Sequence, residues 1–202
     1  MHFTYYMPTK IFFGCGEFEK APAYIKALGK KVLIVTGKYA MNKYGFTKRL
    51  VDGLAGLGIE SMVFEGISAN PLASEVNACA QKFSSWQPEV VVALGGGSAI
   101  DAGKGILLGL STGEKVEPYL LGQLPITHVD IPLVAIPTTA GTGSETNWAA
   151  ILTDESTGTK TSFRHKGFFP AIAIVDPQLT MSLSPETTVE TGFDVFAHIT
   201  QV

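Results

Sequence analysis

The chain has 202 residues, of which 46% are hydrophobic and 16% charged, with a formal net charge of −3. This much apolar side chain excludes wholesale disorder, and a mildly acidic chain without a Lys/Arg block is not expected to bind nucleic acid. The apolar runs are short and interrupted, so no membrane span is predicted, and the N-terminus does not resemble a signal peptide. With two cysteines, Cys15 and Cys79, no disulfide framework is expected, and the predicted compartment is the cytoplasm.

The order of apolar runs predicts an α/β fold. Residues 3–13 alternate in a way that suggests a short hairpin. Apolar, β-branched runs then predict buried strands at residues 32–36, 61–64, 90–94, 133–136, 148–152 and 171–175. Helical patterns lie between the first four of these strands, at residues 40–58, 72–86 and 98–110. This alternation predicts a doubly wound, mainly parallel, Rossmann-like sheet.

The final residues differ from this pattern. Ser184 is predicted to cap a helix that has Pro185 at its first position. Gly192 is expected to interrupt that helix, so that a second one begins near Phe193. We therefore predict a nucleotide-type domain over residues 1–180, and over 181–202 the truncated start of a second domain.

A glycine triplet follows the third of the core strands. Gly95, Gly96 and Gly97 end an apolar run, and Ser98 opens the next helix. Glycines let a ligand approach the backbone, and the free N–H groups of a helix N-terminus attract phosphate. The alternative is a tight turn that binds nothing. Because the pattern is not G-x-G-x-x-G and does not follow the first strand, a common dinucleotide fold is disfavoured.

A second loop, residues 136–145, combines four hydroxyl side chains with two glycines. It follows another predicted strand, and ligands of open α/β sheets bind at the carboxyl ends of the strands. A solvated connection without a ligand is the alternative.

Asp194 and His198 are four residues apart and therefore share one face of a helix. A carboxylate and an imidazole suit Zn²⁺ or Fe²⁺, but such a pair is more often a surface hydrogen bond.

Together these segments resemble the iron-containing (group III) alcohol dehydrogenase family, which is close in fold to glycerol dehydrogenase and dehydroquinate synthase. The resemblance covers nearly the whole chain. It is carried by the motif Gly95-Gly-Gly-Ser98 with Asp101 and Lys104, by the segment 137–145, and by residues 191–198. It implies an α/β domain for NAD(P), an all-helical domain that carries a metal, a homodimer, and a small alcohol or aldehyde as substrate.

The resemblance also implies which residues form the site. The cofactor-binding set would be Gly37, Lys38, Asn70, Gly95, Gly96, Gly97, Ser98, Asp101, Thr138, Thr139, Thr142 and Lys160. Asp194 and His198 would be two of four ligands to Fe²⁺ or Zn²⁺. No side chain is assigned as a catalytic acid or base.

One position bears on the choice of cofactor. Family members that use NAD often carry Asp where this chain has Gly37, and Lys38 follows with a positive charge. The absent carboxylate and the added cation favour NADP over NAD. Alternatively, Lys38 points to solvent and both cofactors bind.

The predicted function is hydride transfer between NAD(P) and an alcohol, aldehyde or ketone, with a divalent metal polarising the substrate oxygen. Two alternatives remain open: a catalytically silent nucleotide-binding module, and a polyol dehydrogenase or dehydroquinate-synthase-like enzyme of the same superfamily. Since Asp194 and His198 are too few ligands for a metal, this chain alone is expected to show little activity.

Overall fold

The computed structural model describes residues 2–200 and is built around one six-stranded parallel sheet. In spatial order the strands are β1 (Lys10–Phe13), β8 (Ile172–Val175), β5 (Leu133–Pro137), β4 (Val90–Gly95), β2 (Lys31–Gly37) and β3 (Glu60–Ile67). Every neighbouring pair runs parallel. The predicted doubly wound α/β fold is confirmed.

Helices cover both faces of the sheet. They are α1 (Glu17–Lys26), α2 (Ala40–Lys43), α3 (Phe46–Gly56), α4 (Ala73–Phe83), α5 (Gly97–Thr112), α6 (Glu117–Leu120) and α7 (Pro185–Thr200). Because side chains alternate along a strand, Val91 and Ala93 pack on the face covered by α4 and α5. Val92 and Leu94 pack on the opposite face, against α1 and α3. Strand β4 is therefore buried on both faces and lies at the centre of the fold.

Two predictions near the start of the chain were wrong. Residues 2–9 form no helix or strand, and Lys10–Phe13 is a parallel edge strand beside β8, so there is no hairpin. The helix predicted over residues 40–58 is two helices, α2 and α3. Gly45 separates them with a φ of +72°, a left-handed conformation that ends the first helix.

The strand predicted at residues 148–152 does not join the main sheet. It is β6 (Ala149–Asp154), which pairs antiparallel with β7 (Thr159–Arg164) in a separate two-stranded sheet. Ala150 and Leu152 point into the core while Ile151 is 39% exposed, so only one side of β6 is buried. Strand β7 was not predicted from the sequence, because Phe163 is its one buried residue.

At the C-terminal end, the Ser184 Oγ accepts a hydrogen bond from the Thr187 amide at 3.2 Å, which confirms Ser184 as a helix cap. Gly192 does not interrupt the helix, and no new helix begins at Phe193, because α7 continues to Thr200. Within its described residues α7 buries no side chain. The domain boundary between residues 180 and 181 remains a prediction, and residues 201–202 lie outside the described part of the chain. Over residues 2–200, no helix is both long and apolar enough to span a bilayer.

Candidate functional site

A groove of about 650 Å³ opens where three central strands end. Its walls include residues that follow the carboxyl ends of β2, β4 and β5. The chain leaves β2 toward one edge of the sheet and leaves β4 toward the other, so the crevice between them is a topological switch point. Ligands of open α/β sheets bind at such a crevice.

Seven of the twelve predicted cofactor-binding residues line this groove. They are Gly37, Lys38, Gly95, Gly96, Ser98, Thr138 and Thr139. The groove is also lined by residues that were not predicted to bind a ligand, among them Tyr39, Met41 and Tyr44 from the α2 region and Ser184 and Thr187 from the start of α7. Their sequence carries no ligand motif, and only the fold brings them to this edge.

The turn between β4 and α5 requires glycine. Gly95 has a φ of +151°, and a Cβ built there would lie 2.9 Å from the Ala99 Cβ. Gly96 precedes α5, whose first amides have no acceptor within the helix. A helix N-terminus with open amides suits an anionic group. The structure thus places at the groove the kind of turn that the sequence predicted.

Ser98 contacts protein rather than open space. Its hydroxyl donates a hydrogen bond to the Ala69 carbonyl in the segment that precedes α4. To donate to a phosphate of a bound cofactor, this hydroxyl would have to break that bond. Ser98 therefore ties the glycine turn to the neighbouring loop, although it still forms part of the groove wall.

The second glycine loop packs directly on the first. A Cβ on Gly96 would stand 3.2 Å from the Thr139 side chain, and one on Gly97 would stand 2.6 Å from the Thr142 hydroxyl. The Thr138 amide donates to the Gly95 carbonyl at 3.0 Å. Gly97 and Thr142 are therefore packing partners of each other, and neither is part of the groove wall.

Lys38 does not point freely into solvent. Its Nζ lies 2.7 Å from the Ser68 hydroxyl and 3.0 Å from the Glu75 carboxylate. Glu75, at the start of α4, was not among the predicted residues. Its position 37 residues after Lys38 left no local signal in the sequence.

Asn70 and Lys160 are brought together by the fold. The Lys160 Nζ donates to the Asn70 Oδ1 at 3.1 Å across 90 residues. Both had been predicted as cofactor contacts, but neither lies in the wall of the groove.

Asp101 lies behind the groove instead of facing it. Its carboxylate accepts from the Ile151 amide at 3.2 Å and is 3.4 Å from the Nζ of Lys104, which is fully buried. Lys104 also donates to the Asn147 Oδ1 at 2.9 Å and to the Ala149 carbonyl at 2.6 Å. Asp101 and Lys104 thus attach α5 to the start of β6, and the cofactor contact of Asp101 stays a prediction.

Burial governs the electrostatics of this pair. It raises the pKa of Asp101 above its usual value, although the Lys104 ammonium and the Ser144 hydroxyl oppose the change. Burial likewise lowers the pKa of Lys104, although the Asp101 carboxylate opposes it. The two shifts favour the neutral forms, and each partner supports the charged form of the other.

Asp194 and His198 face each other on α7, with Asp194 Oδ1 and His198 Nε2 3.7 Å apart. A Cβ on Gly141 would lie 3.3 Å from the Asp194 Oδ2, so this carboxylate borders the second glycine loop. Both side chains are accessible, and their donor atoms suit Zn²⁺ or Fe²⁺. Across residues 2–200 no cluster of three or more candidate metal ligands forms.

Comparison with known proteins places this geometry in context. The sequence matches the family described as iron-containing alcohol dehydrogenase over residues 8–177. It is 31% identical to the NADPH-dependent butanol dehydrogenase of Clostridium saccharobutylicum, over 98% of this chain and 50% of that protein.

Solved structures of similar proteins share the fold of this chain. NADH-dependent butanol dehydrogenase A from Thermotoga maritima has a TM-score of 0.93 at 32% identity, over 98% of this chain and 50% of that one. The sulfoacetaldehyde reductase from Bifidobacterium kashiwanohense, in complex with NAD⁺, has a TM-score of 0.89 at 37% identity, over 96% and 51%. The chain therefore spans about half the length of the relatives it matches.

Proposed function

The chain belongs to the iron-containing alcohol dehydrogenase family, and from that premise we propose that it binds NAD(P) in the groove for hydride transfer to or from a small alcohol, aldehyde or ketone. The observation that carries the proposal is the position of the groove. It lies at the switch point of the sheet, between the ends of β2 and β4, with a glycine turn and the N-terminus of α5 on its wall.

The residues present suit a dinucleotide. Gly95 and Gly96 leave the backbone open to close approach, and the first amides of α5 would hold the pyrophosphate. Thr138 and Thr139 offer hydroxyls on the same wall, while Gly37 and Lys38 would border the adenosine ribose. Asn70 and Lys160 would make contacts from beyond the groove rim.

The bound nicotinamide would supply the hydride chemistry. Polarisation of the substrate oxygen is the chemistry that a divalent cation held in part by Asp194 and His198 would supply. The described residues would hold the metal and the cofactor close to each other. Helix α7 presents Asp194 beside the second glycine loop, and that loop packs on the turn that would hold the pyrophosphate. No side chain is proposed as a general base.

Cofactor preference is a finer proposal. Gly37 places no carboxylate at the end of β2, and Lys38 adds a cation there, which favours a 2′-phosphate. We therefore propose a modest preference for NADP over NAD. Among the relatives, one is named NADPH-dependent and another NADH-dependent.

The test is a fluorescence titration of the 202-residue chain with NADPH and, in parallel, with NADH. Saturable binding is expected for both. Gly96→Ala should weaken both by about tenfold, equivalent to ~1.4 kcal/mol, because the new methyl narrows the groove against Thr139. Gly56→Ala, where a Cβ meets open space, is the matched control and should bind like the parent. Absence of binding by the parent chain would refute the proposal.

The metal is tested separately. The affinity for Zn²⁺ is measured by competition with a chromophoric chelator. It should be lower in Asp194→Asn and in His198→Ala than in the parent chain. His128→Ala serves as the control, because that imidazole contacts Thr127 and Ser111 instead. Equal affinity in all variants would refute the assignment of Asp194 and His198.

A further inference from the structure

An ion pair stands beside the groove wall that would border the adenosine ribose. Lys38 Nζ is 3.0 Å from Glu75 Oε1, and both groups contact the Ser68 hydroxyl. Lys38 and Ser68 form part of the wall, whereas Glu75 lies behind them. The positive charge that faces the groove is therefore already paired with a carboxylate.

Glu75 is held in place by the backbone. Its Oε2 accepts from the Ser68 amide at 3.0 Å and from the Leu72 amide at 3.3 Å, across the start of α4. Its side chain is 14% exposed, against 44% for Lys38. Glu75 is thus the fixed member of the pair, and Lys38 is the member able to move toward a ligand.

The carboxylate is ionised at neutral pH. Partial burial opposes ionisation, but hydrogen bonds from the Ser68 hydroxyl and amide, from Lys38 and from the Leu72 amide outweigh it and lower the pKa of Glu75. A full negative charge therefore stays next to Lys38 over the whole neutral range.

In nucleotide-binding sheets, the glycine turn follows one strand, and a carboxylate close to the end of the neighbouring strand favours binding of the ribose hydroxyls over binding of a 2′-phosphate. Here β2 is that neighbouring strand, and its last residue is Gly37. Glu75 brings a carboxylate toward the same corner from α4, a different element.

We propose that Glu75 is a positioning residue that holds Lys38 and thereby limits the preference of this groove for NADP over NAD. The inference rests on the proposed function, since it needs a dinucleotide in the groove. A 2′-phosphate must draw Lys38 away from Glu75 and accept the repulsion of that carboxylate. The 2′-hydroxyl of NAD carries no charge, so its binding neither separates Lys38 from Glu75 nor brings a negative charge close to the carboxylate.

The experiment measures dissociation constants for NADPH and NADH in the 202-residue chain and in Glu75→Gln. Glutamine retains an oxygen for the Ser68 and Leu72 amides but removes the charge. The ratio of NADH to NADPH dissociation constants is expected to rise by about threefold or more, within the range for a partly exposed ion pair. Loss of stability alone would weaken both nucleotides together and leave this ratio unchanged.

Glu155→Gln is the matched control. The Glu155 carboxylate comes from another part of the chain but also contacts the start of α4, where it accepts hydrogen bonds from the amide and hydroxyl of Ser74. It does not contact Lys38. Its removal should leave the ratio unchanged. In a Lys38→Met background, Glu75→Gln should raise the ratio by less than it does in the parent chain, because no cation is released and only the repulsion by the carboxylate is removed.

Each outcome decides the question. An unchanged ratio in Glu75→Gln, with NADH still bound, would overturn the role of Glu75 and leave the proposed function standing. No binding of either nucleotide by the parent chain would overturn both. If Glu75→Gln does not fold, Lys38→Met alone should lower NADPH affinity relative to NADH, and an unchanged ratio there would overturn the inference.

Discussion

Gly97 and Thr142 lie so close together that a Cβ on Gly97 would stand 2.6 Å from the Thr142 hydroxyl oxygen and 3.0 Å from its Cβ. This contact joins the two glycine loops, which are far apart in the sequence. It also explains the third glycine of the triplet: Gly97 is required by the neighbouring loop, whereas Gly95 and Gly96 form the wall of the groove.

Gly97→Ala should lower the free energy of unfolding by about 1–3 kcal/mol, because threonine is stiff and cannot easily move aside. Urea denaturation followed by circular dichroism measures it. Thr142→Ala in the same chain should recover part of the loss, since it removes the hydroxyl that lies nearest. Full stability of Gly97→Ala would show that the loops separate at little cost.

Lys104→Met should destabilise the chain by about 3–5 kcal/mol, because it leaves the Asp101 carboxylate buried without a counter-charge. Chemical denaturation is again the measurement. The matched control is Lys48→Met, whose ion pair with Asp52 is exposed and is expected to contribute less than about 1 kcal/mol.

A second variant separates charge from packing at this position. Asp101→Asn combined with Lys104→Met removes both charges, so the double variant should be more stable than Lys104→Met alone. If the two losses simply add, the buried ion pair does not account for the cost.

Cys79 should resist thiol reagents at pH 8 while Cys15 reacts. Cys15 is exposed, whereas Cys79 is fully buried and burial raises the pKa of its thiol to about 12. Ellman's reagent should therefore count one thiol in the native chain and two in denaturant. Two fast native thiols would contradict the packing around Cys79.

The same pKa shift predicts a pH dependence of stability. The folded state keeps the Cys79 proton above the ordinary thiol value of 9.0, so the stabilisation is complete below that pH and is lost as pH rises toward about 12. Cys79→Ala should show a smaller decline in unfolding free energy between pH 9 and 11, in parallel denaturant titrations. Identical slopes would exclude the contribution.

Gly192→Ala should stabilise α7 by about 0.5–1 kcal/mol, because the added methyl meets open space inside a continuous helix. Slower amide hydrogen exchange along residues 185–200 would register this. Gly105→Ala is the opposite case, because its Cβ would press on Leu152 and Val76 at 3.1 Å, and it should destabilise the chain. Faster exchange in Gly192→Ala would mean that the helix is interrupted after all.

Local features of the sequence predicted much of the fold correctly. Strand β4 could be identified because an apolar run buried on both faces has few alternatives. Ser184 could be identified as a cap because its hydroxyl bonds an amide three residues away. The same holds for the glycine turn, whose backbone conformation depends on the residues of the turn itself.

Contacts between distant residues were beyond the reach of such patterns. Asp101 has the spacing of a site residue, but its side chain points inward and contacts Lys104 and the Ile151 amide. Lys38 has no acidic partner nearby in the sequence, but in the fold it forms an ion pair with Glu75. The apolar sequence of β6 predicts a buried strand of the main sheet, but β6 pairs with the polar strand β7. Propensity and periodicity act over a few residues, whereas the partner of a buried charge or a free strand edge is set by which elements pack together in three dimensions.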